Sequence, residues 1–515
     1  MKRLTRWLTG CGILAALALG AFAVHSQETE KRQTRPAPHD TIADAQQQQH
    51  VPITRPEQRK TAHDLSDVFQ PTKAVPSSQA LRQQPERGTF EGFDFYRDPL
   101  DAKKPMETFA EIYKDDVANK PKVMELQRKL LEHRYDLTPK FDPQAKMSRG
   151  KPLCVGPTAR LAGGLTWDRL AAMDPADIRK QGYFPYPSLP HPKQTPGGFV
   201  FPKMQIAMFP RLERFDVDFD LPEAFLPEFP PAIFLQNRPE LGDVSRGEVV
   251  SMNNFDRLFR GILTPMQLDG LRLLLTPLPQ EEFNPTDDRK SPEPSVGVTC
   301  MDCHVNGHTT GQFELNPDNR PEQRRLRLDT PSLRGLYVQL IHGSKRSIRT
   351  VESFSQFEQP RAAYFNGDPM HLEKKGNLQL PRELAIRMER MQMMFDFPPA
   401  PKLNVMGHLD PNQATKSELR GEQLFFGKAK CSQCHPAPFY MDNLMHDLKL
   451  ERFVEEAPDG PVKSFTLRGI KDSPPYLHDG RCLTLEDTVE FFNLILGLTL
   501  NTQEKADLVA FMRQL

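Results

Sequence analysis

The sequence predicts a mainly α-helical fold with high loop content, in which two similar units follow one another behind an irregular N-terminal extension. The motif C-x-x-C-H occurs twice, at 300–304 and 431–435, and similar segments flank both copies in the same order. Hydrophobic residues make up only 38% of the chain, and its 49 prolines favour loops over long regular elements. At 515 residues the chain exceeds what one hydrophobic core usually organises, so two or three domains are expected.

Residues 1–23 have the pattern of a secretory signal peptide. The basic residues Lys2, Arg3 and Arg6 precede the apolar run CGILAALALGAFA, whose last three residues form an A-x-A cleavage pattern. Removing the three basic residues leaves 64 basic against 67 acidic residues, a balance that does not suggest nucleic acid as a partner. No later apolar run approaches the roughly 18 residues that a membrane-spanning helix needs. We therefore expect a periplasmic protein with no integral membrane segment after signal removal.

Two segments separate the signal peptide from the repeated part of the chain. Residues 24–90 are polar and rich in Gln and Pro, and their lack of periodic apolar positions predicts a disordered leader. Residues 91–250 hold short apolar pieces broken by proline clusters such as LPEAFLPEFPPAIF. This pattern predicts an irregular, Pro-rich N-terminal region in which proline interrupts helices. A module that docks on another protein is one interpretation of its role.

An internal repeat with a period of about 130 residues organises the rest of the chain. Each copy has a helix-like segment, the C-x-x-C-H motif, an S/T-L-R-G element and a second helix-like segment. The leucine of that element follows His304 by 29 residues in the first copy and His435 by 32 in the second. The predicted units are 251–405 and 406–515. A terminal helix is predicted to bury one face, made of Leu508, Phe511, Met512 and Leu515.

The repeated motif is typical of covalent haem attachment. Two cysteines three residues apart form thioethers to a porphyrin, and the next histidine binds the iron. A structural zinc site would need a second Cys/His pair nearby, and a redox disulfide would need a strand-helix-strand context; neither motif has these surroundings. The sequence therefore predicts two cytochrome c-like haem domains in tandem, with two haem c groups. The attachment and ligand residues are Cys300, Cys303, His304, Cys431, Cys434 and His435.

Other histidines and arginines recur in the two copies. His342 and His478 occupy equivalent positions, and we predict a catalytic role for His342 and iron ligation for His478, with structural hydrogen bonding as the alternative. His446 is a further candidate iron ligand. Arg334 and Arg468 recur in the S/T-L-R-G elements, where they either bind haem propionates or form salt bridges. The remaining cysteines of the mature chain, Cys154 and Cys482, either pair as a disulfide or stay as buried thiols.

The segments GEQLFFGKAKCSQCHPAPFYMDN and LRGIKDSPPYLHDGRCLTLEDTVEFFN resemble the bacterial di-haem cytochrome c peroxidase and MauG superfamily, and the similarity spans roughly residues 255–515. The resemblance implies an oxidoreductase whose first haem activates peroxide or oxygen and whose second haem relays electrons. It also implies a small electron-transfer protein, a cytochrome or a cupredoxin, as partner. A calcium ion between the domains and a homodimer are implied by the resemblance alone.

The sequence departs from that family pattern in three respects. Ile341 and His342 stand where the peroxidases have a tryptophan, and Val351 and Arg361 stand where they have the glutamine and glutamate that handle peroxide. Phe492 replaces the methionine or tyrosine that binds the relay haem. The missing tryptophan and peroxide-handling pair favour oxidation of an organic or protein substrate, as in MauG or the rubber oxygenases, over reduction of peroxide. A pure electron-transfer di-haem cytochrome without substrate turnover is a separate alternative.

Overall fold

The computed structural model describes residues 89–90, 93–94, 109–189, 199–213, 218, 220–277, 299–314, 328–346, 348–358, 381–456 and 458–515. All of them belong to one compact unit, Thr61–Leu515. The predicted signal peptide lies outside the described residues, as does the predicted leader apart from residues 89–90. Within the described part of the chain, no helix has the length and apolar character that crossing a membrane requires.

Helices and loops dominate the structure, as the sequence predicts, and the strands are short. The α-helices of the described residues are α1 (Phe109–Arg134), α2 (Trp167–Ala171), α3 (Pro175–Gln181), α4 (Lys203–Met208), α5 (Phe255–Phe259), α6 (Pro265–Leu274), α7 (Cys300–Cys303), α8 (Val351–Glu358), α9 (Arg382–Gln392), α10 (Lys416–Phe426), α11 (Leu485–Ile495) and α12 (Thr502–Met512). The strands are β1 (Thr89–Phe90), β2 (Phe93–Asp94), β3 (Phe141–Lys146), β4 (Pro152–Cys154), β5 (Phe199–Val200), β6 (Phe313–Glu314), β7 (Leu328–Asp329), β8 (Met445–His446) and β9 (Val462–Lys463). They pair antiparallel as β1–β2, β3–β4, β5–β6–β7 and β8–β9.

The two repeat copies fold in the same order, and in each copy two helices cross at a glycine. Helix α6 crosses α9 at Gly270, and α10 crosses α12 at Gly421. A Cβ atom at Gly270 would lie 1.9 Å from the backbone oxygen of Arg387, and one at Gly421 would lie 2.0 Å from that of Asp507. A side chain at either position would therefore push the two helices apart. The predicted buried face of the terminal helix is confirmed, since all four of its named residues are buried.

The S/T-L-R-G elements form matching turns in the two copies. Gly335 and Gly469 adopt the left-handed conformation, with φ of 75° and 74°, and a turn of 3-10 helix follows each of them. Residues with a Cβ atom are disfavoured in that conformation. A Cβ atom at Gly335 would also lie 2.0 Å from the ring of Phe397. Glycine is thus required by both the backbone angle and the packing of this turn.

One long helix within residues 91–250 differs from the predicted irregular structure. Helix α1 has 26 residues although it contains Pro121. Its buried side chains Val123, Leu126, Leu130 and Leu131 fall on one helical face. Packing of that face outweighs the backbone hydrogen bond that proline cannot donate.

The N-terminal region also packs into the core of the second repeat copy. Thr158 donates from its backbone N and its Oγ1 to the carboxylate of Asp487 on α11, at 2.7 and 2.6 Å. The rings of Phe184 and Phe491 meet edge to face, with centroids 6.5 Å apart. Residues from 145 to 184 therefore share one hydrophobic cluster with α10, α11 and α12. A docking role for this region stays a prediction.

Candidate cofactor site

One cavity of about 580 Å³ is lined by residues of both repeat copies. Its volume lies within the range of about 300–1,000 Å³ that is usual for small-molecule and cofactor sites. Every residue that the sequence analysis named as an attachment, ligand or catalytic candidate lines it: Cys300, Cys303, His304, His342, Cys431, Cys434, His435, His446 and His478.

The first motif is held by the short helix α7. Its first turn is closed by a capping box, in which the backbone N of Thr299 donates to Asp302 Oδ2 at 2.8 Å. The backbone N of His304 then donates to the carbonyl of Cys300 at 3.0 Å. This single helical turn brings both cysteines and the histidine of the motif to the same cavity.

The His304 imidazole is suited to bind a metal ion. Burial lowers the pKa of His304 to about 4, although backbone groups of Pro331 and His308 partly oppose this effect, so the ring is neutral near pH 7. Its Nδ1 atom is buried and has no hydrogen-bond partner among the described residues. A neutral imidazole carries a lone pair on one nitrogen, which is the group that binds iron.

In the second motif, a hydrogen bond to the ring orients the histidine. Cys431 begins a turn of 3-10 helix, and the backbone N of His435 donates to the carbonyl of Cys431 at 2.9 Å. The Nδ1 atom of His435 lies 2.9 Å from the carbonyl oxygen of Tyr440. Because a carbonyl only accepts, Nδ1 carries the proton and Nε2 keeps its lone pair. Metal-binding histidines are commonly oriented by such a hydrogen bond.

The residues present in the cavity fit covalently attached haem. Cys431 and Cys434 are thiols, and burial raises the pKa of each to about 12. Burial of the His435 ring lowers its pKa, which favours the neutral imidazole. Phe425, Phe491 and Phe492 line the cavity and give it the apolar wall that a haem pocket needs. Phe426 does not line the cavity but packs against Phe425, with ring centroids 5.4 Å apart.

His342 lies in the cavity as a buried, neutral side chain. Burial is the main cause that lowers the pKa of His342 to about 4, and the positive charge of Lys463 adds to it. Its backbone forms a bridge with Ile348, which fixes the loop that carries the imidazole. The ring is therefore available as a proton acceptor near neutral pH. A catalytic role for His342 stays a prediction.

His446 and His478 line the cavity but are engaged with carboxylates. The Nε2 atom of His446 lies 2.7 Å from Asp442 Oδ2, and that of His478 lies 3.1 Å from Asp459 Oδ2. Burial disfavours the charged form of His478, but the nearby carboxylates outweigh burial and raise its pKa. Iron ligation through Nε2 would require either histidine to leave its carboxylate. Iron ligation by His446 and by His478 stays a prediction.

The recurring arginines are bound to protein groups, although both line the cavity. Arg334 forms a buried ion pair with Asp472 instead of the surface salt bridge considered from the sequence. Arg468 donates to the terminal carbonyl of Leu515 at 2.9 Å and lies over the ring of Phe397. Both side chains thus have structural partners without any propionate.

The structure describes only part of the segment in which the family has its peroxide-handling glutamine and glutamate. Val351 lines the cavity, whereas Glu352 forms an ion pair with Arg382 at 3.2 Å and is not among the lining residues. Arg361 lies outside the described residues. Trp167 packs edge to face on Phe184, with centroids 5.2 Å apart, and does not line the cavity.

Several polar lining residues were missed from the sequence. Gln339 and Lys463 join the two copies across the cavity, with Lys463 Nζ donating to Gln339 Oε1 at 3.2 Å. The hydroxyl of Tyr476 is buried with no hydrogen-bond partner among the described residues. Its position within PPYLHDG, next to His478, was the only signal that could have identified it.

Two further predictions concern calcium and the remaining cysteines. Among the described residues, no group of three or more His, Cys, Asp or Glu side chains could hold a metal ion, so calcium rests on family resemblance alone. Cys154 and Cys482 are separate buried thiols in this structure. The Sγ atom of Cys154 donates to the carbonyl of Ala224 at 3.0 Å.

Curated proteins similar to this chain are bacterial cytochrome-c peroxidases. Cytochrome-c peroxidase IdrP1 of Pseudomonas sp. (strain SCT) is 27% identical over 157 residues, which cover 21% of this chain and 41% of the relative. Cytochrome c551 peroxidase of Nitrosomonas europaea is 32% identical over 121 residues, which cover 21% of this chain and 36% of the relative. The matches thus span about two-fifths of the relatives' lengths. No family model matches the chain.

Two solved structures share a weaker likeness. A MauG-like protein associated with microbial copper homeostasis covers 42% of this chain and 81% of its own, with 18% identity and a TM-score of 0.33. Hydrazine synthase of Kuenenia stuttgartiensis covers 52% of this chain and 94% of its own, with 20% identity and a TM-score of 0.31. TM-scores this low carry no structural conclusion.

The curated matches show that part of this chain is similar to cytochrome-c peroxidases. They confirm the predicted resemblance to the bacterial di-haem cytochrome c peroxidase and MauG superfamily.

Proposed function

We propose that the chain is a periplasmic di-haem c-type cytochrome oxidoreductase, in which one haem activates peroxide or oxygen and the other relays electrons. The observation that carries this proposal is that both C-x-x-C-H motifs line a single cavity. Two redox centres attached in one cavity would be close enough to exchange electrons. The peroxidase names of the curated relatives support the same class of reaction.

The chain's own residues have distinct parts in this proposal. Cys300, Cys303, Cys431 and Cys434 hold the two groups, and His304 and His435 bind the irons. Haem bound there supplies a redox-active iron at which peroxide or oxygen can react. Tyr440 holds the His435 ring so that Nε2 faces away from its carbonyl. The aromatic side chains of the lining exclude water from the pocket.

His342 is the proposed proton acceptor for bound peroxide. Its ring is neutral and has no carboxylate within salt-bridge distance among the described residues, in contrast to the rings of His446 and His478. A neutral ring can take a proton at its unprotonated nitrogen and return it to the departing oxygen. His342 would then take over the task of the glutamine and glutamate, which this sequence lacks at the corresponding positions.

The proposed electron donor is a small periplasmic cytochrome or cupredoxin. Phe439 and Leu444, which follow the second motif in sequence, are 37% and 53% exposed, and Leu340 is 65% exposed. Asn443 ties the loop of the second copy to that of the first, since the backbone N of Leu340 donates to its Oδ1 at 2.9 Å. Exposed apolar side chains near a redox centre are suited to brief protein contacts.

Spectroscopy and turnover together test the proposed function. The ferric protein should show a high-spin component, its reduced form should bind CO, and peroxide should be consumed with a reduced small cytochrome as donor. Two low-spin haems that do not react with CO would instead favour electron transfer alone. CO binding without peroxide turnover would favour oxidation of an organic substrate.

A further inference from the structure

Lys463 is a buried lysine that faces the cavity from the second repeat copy. Only 3% of its surface is exposed, and it lines the cavity at the end of β9. Its backbone N donates to the carbonyl of Ser344 at 2.8 Å, and its Nζ donates to Gln339 Oε1 at 3.2 Å. The ammonium also lies 5.3 Å from the ring centroid of Phe465. Contacts with both copies therefore hold the side chain in place.

This ammonium has no carboxylate partner within 4 Å among the described residues. Lys505, the other buried lysine of that part of the chain, pairs with Glu490 at 2.9 Å. The charged group that acts on Lys463 is instead another cation, Arg346, whose Nε atom is buried without a hydrogen-bond partner among the described residues. Burial, with a smaller effect from Arg346, lowers the pKa of Lys463 to about 8.

A buried cation without a counterion is costly in free energy, and buried charges in proteins are normally paired. The neutral oxygen of Gln339 satisfies one of the three donors of the ammonium and adds no negative charge. The remaining donors lie at a cavity wall where both cations raise the local positive potential. This arrangement is complementary to an anion, and a carboxylate matches both its charge and its hydrogen-bonding capacity.

We propose that Lys463, supported by Gln339 and Arg346, is a carboxylate-binding site inside the cavity. One source of the carboxylate is a propionate of a bound haem, and this source rests on the proposed function. The other source is a small free carboxylate that enters the cavity. In both cases the ammonium of Lys463 binds the carboxylate through a charge-assisted hydrogen bond.

The test compares the exported full-length holoprotein with three variants and one control. K463M removes the charge at similar length, K463Q keeps an amide that can contact Gln339, and K463R keeps the charge. K505M is the matched control, because it removes a buried ammonium that has its own carboxylate and does not line the cavity. The midpoint potentials of the haems are measured, and the ferric absorption spectrum is titrated with formate at constant ionic strength.

If a haem propionate is the carboxylate, K463M and K463Q should lower at least one midpoint potential, because a nearby positive charge favours the reduced iron. K463R and K505M should keep wild-type potentials. If a free carboxylate is bound, formate should change the wild-type spectrum saturably, and K463M should weaken its binding about tenfold or more. The proposed site would be overturned if both K463M and K463Q kept the wild-type midpoint potentials and responded to formate as the wild-type protein does. If the wild-type protein carries no haem, the result contradicts the proposed function and not the carboxylate site.

Discussion

Arg334 and Asp472 form a buried ion pair between the two repeat copies. The Nη1 atom of Arg334 lies 3.0 Å from Asp472 Oδ2, and both side chains are at most 5% exposed. Asp472 also accepts from the backbone N and the Oγ of Ser148, at 2.9 and 2.5 Å. The carbonyl of Asp472 lies 3.0 Å from the ring of His308. One residue therefore joins the N-terminal region to both copies next to the cavity.

Replacing this arginine should destabilise the whole described unit. R334M would leave the carboxylate of Asp472 buried without its counterion, and breaking such a pair typically costs about 3–5 kcal/mol. Chemical denaturation at pH 7 measures the change in unfolding free energy. The control R257M removes a solvent-exposed partner of Glu248 and should leave the unfolding free energy nearly unchanged. Equal effects of the two substitutions would contradict the role given to the Arg334 pair.

The glycine at the crossing of α10 and α12 should not tolerate a side chain. G421A would place a methyl group 2.0 Å from the backbone oxygen of Asp507 and should destabilise the protein by about 1–3 kcal/mol through overpacking. This loss would occur although alanine favours helix more than glycine does. Thermal unfolding gives the comparison with G163A, whose added Cβ atom meets nothing within 4 Å. A G421A protein as stable as G163A would contradict the close helix crossing.

Asp507 should make stability depend on pH in the acid range. The hydrogen bond from Arg420 is the main cause that holds the pKa of Asp507 below its ordinary value, and Ser417 and Gln503 add to it. Because the folded pKa is lower than the unfolded value, this contribution is present above about pH 3.9 and is lost as pH falls through the folded pKa. D507N should therefore lower the urea midpoint at pH 7, and the difference from wild type should shrink below pH 3.9. A difference independent of pH would show that the charge is not responsible.

Protonation of His342 should set the lower pH limit of peroxide turnover. Since its pKa is about 4, the ring stays neutral well below the ordinary histidine value of about 6.5, and turnover should persist down to about pH 4–5. H342Q should reduce turnover about 100-fold or more, as expected when a general base is removed. The haem absorption spectrum serves as the control, because H342Q should leave attachment intact. Unchanged turnover in H342Q would exclude this histidine as the proton acceptor.

The sequence alone predicts much of the repeated architecture. The motif spacing and the S/T-L-R-G elements identify both copies. The left-handed backbone at Gly335 and Gly469 favours glycine in each element, and this requirement is visible in the local sequence. The buried face of α12 follows from helical periodicity. Helix α9 was not predicted, because its buried Met388 and Met391 stand among charged residues that hide the apolar pattern. Its place is set by the crossing with α6, which is a tertiary effect.

The polar part of the cavity was the least predictable. A single lysine in a short strand usually indicates an exposed position, and only the tertiary pairing with Gln339 shows that Lys463 is buried. The partners of Asp487 likewise come from a region more than 300 residues earlier in the chain. Long-range contacts of this kind leave no local pattern in one sequence.

The intact mass of the purified, exported protein, measured together with its absorption spectrum, shows whether both motifs attach haem. We expect a Soret band and a mass increased by two haem groups. The double variants C300S/C303S and C431S/C434S should each lose one of them. A wild-type mass without any added haem, together with no Soret band, would contradict the central claim that both motifs attach haem in one cavity.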